Sequence, residues 1–470
     1  MTGQPVSDHH NSTASAIKGL YSFDSSVRKQ AVATLAHAIQ EGEFPEPAFA
    51  QRLNMHCHTF YSYNAYGHSP SSLAWLARQE AFLLEGIVDF DVLDGVDEFL
   101  DACAALGVRG SAGIETRIFI PEFASYELNS PGEPGIAYHM GIGFTSSSVP
   151  GSVQPVLNDF RARVTHRNQV LIEKVNAFLD PVKIDYTTDV LPLTPGDSAT
   201  ERHIVVAYIQ AAEKMMPDPI LFWAEKLRTD PNSIASMVAD TAWFQNILRT
   251  KLMKRGGPGY IQPAPDTFPC IEDFHRLIVE SGALPCFAWL DGTSSGEKQI
   301  EELLELMISK GVAAVNIVPD RNWNIADPAI KKEKIKNLYD VVHLAMRQFL
   351  PINVGTEMNS FGNKIVDDFT SVELEPLWPV FLDGAYFIYG HTRLQKLAQL
   401  GYQSEWAKAN LPLPKERNQF FTRVGALIPP GRSAEILSGI LNISMSPVEI
   451  IQTIQQELLR QSNDEYTRTI

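Results

Sequence analysis

The sequence predicts an α/β protein in which strands and helices alternate into a parallel sheet or barrel. A long helical insertion breaks it once, and a helical extension ends it. Three observations point there. From residue 50 to about 145, short apolar runs bounded by glycine alternate with amphipathic stretches. The same rhythm resumes near 281 and runs to about 360. Between these blocks the pattern is helical throughout.

At 470 residues the chain has room for a large core and more than one domain. Its net charge of -16 argues against non-specific binding to nucleic acid or to an anionic membrane. The expected partner is therefore a small-molecule substrate. Cys57, Cys103, Cys270 and Cys286 are scattered, which suggests neither a zinc knuckle nor a disulfide framework. The polar stretch Met1 to Ser15 has no apolar signal core and reads as disordered. No apolar run approaches the roughly 20 residues that span a bilayer. The expected location is cytoplasmic.

Taken in order, Val27 to Glu41 carries apolar residues at helical spacing. Leu53 to Ser62 follows as a strand and its exit, with Asn54, His56 and His58 on one face because strand side chains alternate. Ser69 and Pro70 cap and open a helix through Phe82. Gly86 to Phe90 reads as a strand, Gly95 to Leu106 as a helix, Gly110 to Thr116 and Ile136 to Phe144 as strands. The insertion holds helical patterns over Val164 to Leu179, Thr200 to Lys214 and Ser233 to Met253, broken by Gly256 to Gly259 and Pro263 to Pro265. Glu272 to Ser281 leads back. Ala283 to Leu290, Val312 to Val318 and Ile352 to Glu357 read as strands, separated by helices at Gly296 to Lys310 and Pro328 to Leu350. Tyr386 to Tyr389 reads as a further strand. Beyond about 400 the chain is helical, most clearly from Pro447 to Leu459. The expected organisation is an N-terminal tail and helix (1–49), barrel (50–145), insertion (146–280), barrel (281–400) and helical extension (401–470).

In α/β barrels functional groups gather at the C-terminal strand ends. His58, Asp89, Glu115, His139 and Glu357 all fall near such ends here. Two histidines with two carboxylates suit zinc, manganese or iron. Each residue also has a structural reading: Asp89 as a helix cap, Glu115 as a partner of Arg117, His139 as a core histidine.

The order of these motifs resembles the PHP (polymerase and histidinol phosphatase) family, in its phosphoesterase-like branch, over roughly residues 50 to 360. The series is His56-Cys57-His58-Thr59-Phe60-Tyr61-Ser62-Tyr63, Val88-Asp89-Phe90-Asp91, Gly113-Ile114-Glu115, His139, Ala288-Trp289-Leu290 and Thr356-Glu357-Met358-Asn359. Arg202-His203-Ile204 and Gly259-Tyr260-Ile261 look family-like within the insertion. The resemblance implies a distorted (β/α)7 TIM-like barrel with a helical insertion and a helical C-terminal extension. It also implies a site for up to three metals. One ion would take His56, His58, Glu115 and Glu357, which are all present as ligands. The second would take positions held here by Tyr63, Phe90 and Asn359, none a family-type ligand. The third keeps Glu115 and His139 but has Trp289 in place of a histidine.

The expectation is therefore one divalent ion (zinc, manganese or iron), with His139 as a fifth ligand or supporting partner. Asp89, Asp91, His139 and Tyr63 are the candidates for acid/base work. Arg321 is placed to recognise an anion. Tyr63, His68, His203 and Asn359 complete the candidate substrate contacts, with Lys364 and His391 as weaker ones. The function expected is a metal-dependent hydrolase of phosphoesterase or amidohydrolase kind. A mononuclear sugar-acid isomerase or lyase, and an inactive binding protein on the same fold, remain alternatives. The insertion and the C-terminal helices leave a homo-oligomer open.

Overall fold

Seven strands form one sheet in sequence order: β1 (Leu53–Cys57), β2 (Leu84–Phe90), β3 (Gly110–Phe119), β4 (Ile136–Phe144), β5 (Leu284–Trp289), β6 (Ala314–Ile317) and β7 (Ile352–Val354). This is a computed structural model, and it describes residues 6–45, 47, 48, 50–264 and 266–468. β1 packs beside β7, and a bridge between Cys57 and Glu357 draws the two edges together. The result is a distorted, nearly closed seven-stranded barrel. Its strands are buried on both faces, which is why they read as continuous apolar runs.

The strand rhythm suggested parallel neighbours throughout. β4 departs from this, running antiparallel to both β3 and β5, while the remaining adjacent pairs are parallel. The segment from 120 to 135 contains only one short helical turn, so β3 returns directly into β4 without a crossover helix.

The helices are α1 (Val6–Gly19), α2 (Ser25–Gln40), α3 (Pro70–Gln79), α4 (Val96–Leu106), α5 (Gln154–Leu179), α6 (Glu201–Met215), α7 (Pro219–Leu227), α8 (Pro231–Ala239) and α9 (Thr241–Met253). After the insertion come α10 (Ile271–Glu280), α11 (Ile300–Ser309), α12 (Asp320–Trp323), α13 (Pro328–Arg347), α14 (Trp378–Ala398), α15 (Glu405–Asn410), α16 (Pro414–Leu427) and α17 (Pro447–Arg468). α3 begins as its sequence suggests: the Ser69 hydroxyl accepts from the Ser72 amide at 3.0 Å, and Pro70 occupies the first turn. None of the described helices is long and apolar enough to cross a membrane. All four cysteines are free.

Two expectations change. The N-terminal stretch read as disordered is helical from Val6, and residues 1–5 lie outside the described residues. Tyr386 to Tyr389 is not a strand but the middle of α14. A short apolar run cannot distinguish a buried strand from a buried helix. Here α14 is buried on two sides, against β7 and against α16. Glycines allow that closeness. A Cβ on Gly390 would overlap the Phe421 carbonyl oxygen, and one on Gly425 that of Tyr386.

The insertion has its own apolar core, which includes Leu171, Val175, Ile204, Tyr208, Trp223, Phe244 and Leu248. α5 joins it to the barrel. Its N-terminal residues Val156, Leu157 and Phe160 belong to the barrel core, and Leu171 onward to the insertion core. Between them, Val164 lines a cavity over the strand ends.

Candidate metal centre

His56 and His58 share a face because they sit two residues apart on extended chain. The backbone then locks this segment against residue 357: the His58 amide donates to the Glu357 carbonyl and the Glu357 amide to the His56 carbonyl, both at 2.8 Å. Gly355 is required for this approach, since a Cβ there would collide with the His56 amide and the Asn54 side chain. Asn54, which the sequence reading had not singled out, pins the crossing. Its amide donates to the Thr356 hydroxyl and the Ile365 carbonyl, both at 2.8 Å, and its oxygen accepts from the Thr356 amide at 3.2 Å. Glu357 and Met358 adopt left-handed backbone, with φ of 66° and 55°. Such conformations cost about 1 kcal/mol or more for non-glycine residues.

Glu115 enters from β3. Its Oε2 lies 3.6 Å from His56 Nε2 and 3.3 Å from His58 Nε2. His56, His58 and Glu115 are all buried, and each offers a donor atom within 4.8 Å of the others. Among these, both Nε2 atoms and Glu115 Oε2 have no hydrogen-bond partner. Buried polar atoms are costly to leave unpaired, so the donor set fits a cation. Electrostatics agree. Burial alone would raise the Glu115 carboxyl, but positive charge at the imidazoles beside it, as a bound cation would also provide, outweighs this and holds the group down at about 2. Burial works against charge on His56, yet Glu115 and Glu357 raise its pKa.

A chain of hydrogen bonds sets the His58 tautomer. Ser62 Oγ donates to Asp89 Oδ1 at 2.6 Å, so it accepts from His58 Nδ1–H at 3.0 Å. The proton on Nδ1 leaves Nε2 bare and aimed at Glu115, the arrangement that a metal-bound histidine needs. Asp89 also accepts from the Thr59 amide and hydroxyl, each at 2.7 Å. Its oxygens are thus committed to holding the loop after β1, and it has no free face for the proton transfer expected of it.

His139 does not join the cluster. In the antiparallel β3–β4 ladder Glu115 opposes Met140, and Arg117 opposes Tyr138. These residues share one face, and Arg117 and Tyr138 line the cavity with Glu115. His139 opposes Thr116 on the other face, where its Nε2 lies 2.7 Å from His275 Nε2 on α10. His275 Nδ1 in turn donates to the Lys310 carbonyl at 2.8 Å. Burial holds both rings neutral. The residue expected as a fifth ligand and proton carrier is a core histidine.

Glu357 lies outside the three-residue group. Its carboxylate meets Arg321 Nη2 at 2.6 Å, and Asn359 Nδ2 stands 3.5 Å away. Burial raises the Glu357 carboxyl, but Arg321 and then His56 more than offset this, leaving it lowered. Arg321, Asn359 and Glu357 all line the cavity, whose volume is about 680 Å³. Phe90 stacks on His58 with ring centres 4.3 Å apart, and Phe90 and Trp289 line the same cavity.

The other candidates sit apart from the cluster. The Tyr63 hydroxyl donates to Gln245 of α9 at 2.8 Å, and its ring meets His203 edge-on. His203 Nδ1 accepts from the Thr200 amide at 3.0 Å and so caps α6. His68, expected as a substrate contact, is buried between Ser72 and Tyr21, and burial lowers its pKa to about 4. Lys364 pairs with Asp320 and covers the Trp323 ring. His391 is buried within α14 and accepts from the Tyr402 amide. Arg117, which a structural reading had paired with Glu115, bonds Glu133 instead at 2.8 Å. Sequence reasoning also missed the far wall of the cavity, where Arg117, Arg167, Arg202, Arg249 and Lys254 gather from four separate stretches.

No family model and no curated protein matches the chain. Solved structures similar to it include the following two. One is an amidohydrolase from Chromobacterium violaceum with bound sulfate and no metal: 14% identity, TM-score 0.48, covering 71% of this chain and 96% of that one. The other, from Bifidobacterium adolescentis, is named as a candidate metal-dependent phosphoesterase: 17% identity, TM-score 0.43, covering 69% of this chain and 95% of that one.

Proposed function

We propose that the chain is a metal-dependent hydrolase of the PHP type, holding one divalent ion and cleaving a phosphate ester or an amide of a small molecule. The observation that carries this is the buried donor set. Two imidazole nitrogens and one carboxylate oxygen converge without a hydrogen-bond partner, and the Asp89–Ser62 chain fixes the tautomer that leaves His58 free to ligate. His56, His58 and Glu115 would hold the ion, with Glu357 beside them. Phe90 and Trp289 occupy positions where the family pattern carries further ligands, which favours one ion over two or three.

A divalent ion there supplies a Lewis acid and a bound water of lowered pKa. The rest falls to the chain's own groups. Arg321 and Asn359, at the mouth of the site, orient a substrate oxygen. Asp91 is the proton carrier best placed, in preference to Asp89. It lines the cavity, accepts from the Thr116 hydroxyl, and is pushed upward by burial against the pull of Arg167. The apolar rings of Phe90 and Trp289 limit water beside the reacting group.

Metal analysis of the purified protein tests this reading, alongside His56→Ala and Glu357→Ala. The expected result is about one equivalent of zinc, manganese or iron, lost in His56→Ala and reduced in Glu357→Ala. Turnover in a panel of phosphate esters and amides should stop on chelation and return with metal. Protein that takes up no metal after incubation with all three ions would refute the proposal.

A further inference from the structure

The cavity has two walls of opposite character. One holds Glu115 and Glu357 at the strand ends. The other is basic, although the whole chain carries a net charge of -16. Arg117 from β3, Arg167 from α5, Arg202 from α6 and Arg249 from α9, with Lys254 just beyond, line it together. Most of this charge has a structural role. Arg117 pairs with Glu133 at 2.8 Å. Arg249 and Lys254 both bind Glu201 Oε2, at 2.9 and 2.7 Å, and so tie α9 to α6.

Three cations of the lining, Arg167, Arg202 and Arg255, have no ion pair among the described residues; Arg255 is exposed, whereas Arg167 and Arg202 are half-buried. Arg167 lies over the Phe268 ring, 4.8 Å from its centre, and Arg117 lies 4.3 Å from the same ring. Arg202 lies 5.8 Å from the Tyr63 ring centre and donates to Asn246 at 3.1 Å. Burial, then the neighbouring Arg117, brings the Arg167 guanidinium down to about 10; burial, then Arg249, does the same to Arg202. Both remain charged at neutral pH. Asp91 and Glu201 offset part of this for Arg167, and Glu201 and Glu357 for Arg202, but none of them pairs directly with either guanidinium, and crowding like charges without direct partners is unfavourable. Stacking on aromatic rings holds a guanidinium in place and leaves its N–H edge to meet an oxyanion.

We propose that Arg167 and Arg202 form an anion subsite that binds a phosphate or carboxylate group carried by the substrate away from the bond being cleaved. The substrate is then a small molecule with a remote anionic group, its reactive end at His56, His58 and Glu115 and its anion on the insertion. The assignment of the reactive end rests on the hydrolase reading above; the subsite itself does not.

Calorimetric titration with inorganic phosphate at fixed ionic strength, on the full chain, separates the two. Wild type and His56→Ala should bind phosphate with similar affinity. Arg167→Gln and Arg202→Gln should each bind about tenfold or more weakly, as expected for loss of a charge-assisted contact. Arg167→Lys, which keeps the charge, should recover part of the loss, and it also stands in should the glutamine variant unfold. Metal content should be unchanged in the arginine variants. Phosphate binding that survives both arginine changes, that disappears in His56→Ala, or that is absent from wild type at millimolar phosphate would overturn the subsite. Arginine-dependent binding in a protein that takes up no metal would uphold the subsite and remove the hydrolase reading.

Discussion

Replacing Ser62 with alanine deletes one oxygen that makes two buried hydrogen bonds. Ser62 Oγ donates to Asp89 at 2.6 Å and accepts from His58 Nδ1 at 3.0 Å. Asp89 keeps its two bonds from Thr59, so the loop should remain in place. His58 loses the acceptor that holds its proton on Nδ1, and the proton becomes free to move to Nε2, the atom aimed at Glu115. Leaving a buried donor unsatisfied costs about 1–3 kcal/mol. Removing a hydrogen-bond partner of a ligating histidine lowers metal affinity by roughly 10–100-fold. The expected outcome for Ser62→Ala is a rise of that size in the metal dissociation constant, with little change in overall fold. Competition against a chromophoric chelator measures it, with circular dichroism as the control for folding. Asp89→Asn, which replaces an acceptor by an amide of the same shape, should shift affinity in the same direction. A Ser62→Ala protein that binds metal as tightly as wild type would refute the claim that this chain prepares His58.

Further consequences can be measured independently of substrate. Gly390→Ala should destabilise the protein by about 3 kcal/mol, an overpacking cost, because the added methyl meets the Phe421 backbone between α14 and α16; a wild-type melting temperature would count against the close contact. Acid should also weaken the fold. Burial lowers His68 to about 4 and His203 and His391 to about 3, so these rings bind protons more readily when unfolded. Stability from this source is complete above the unfolded value near 6.5 and is lost as pH falls toward 4, by about 1.4 kcal/mol per histidine at pH 5.5. Urea titrations from pH 7.5 to 5 should show it. A flat profile, or a loss confined to alkaline pH, would contradict the burial of these three rings.

The amino-acid sequence by itself determined the α/β class, the position of the insertion and the central metal-binding candidates. Those features are local. Strand and helix periods, a His-x-His on one strand face and a glutamate at the end of a glycine-flanked strand are all visible within a few residues. Tertiary structure decided the rest. The direction of β4 is absent from a period-two pattern, yet it sets which of Tyr138 and His139 faces the cavity. An apolar run such as Tyr386 to Tyr389 carries no mark of whether strand or helix will bury it; packing between β7 and α16 settled that. Ser62 and Asp89 are 27 residues apart, and their joint hold on His58 exists only once β1 and β2 lie side by side. The basic wall is more dispersed still. Its cations, spread from 117 to 255, lie far apart in the sequence, and they become a single electrostatic feature only where the insertion closes over the strand ends.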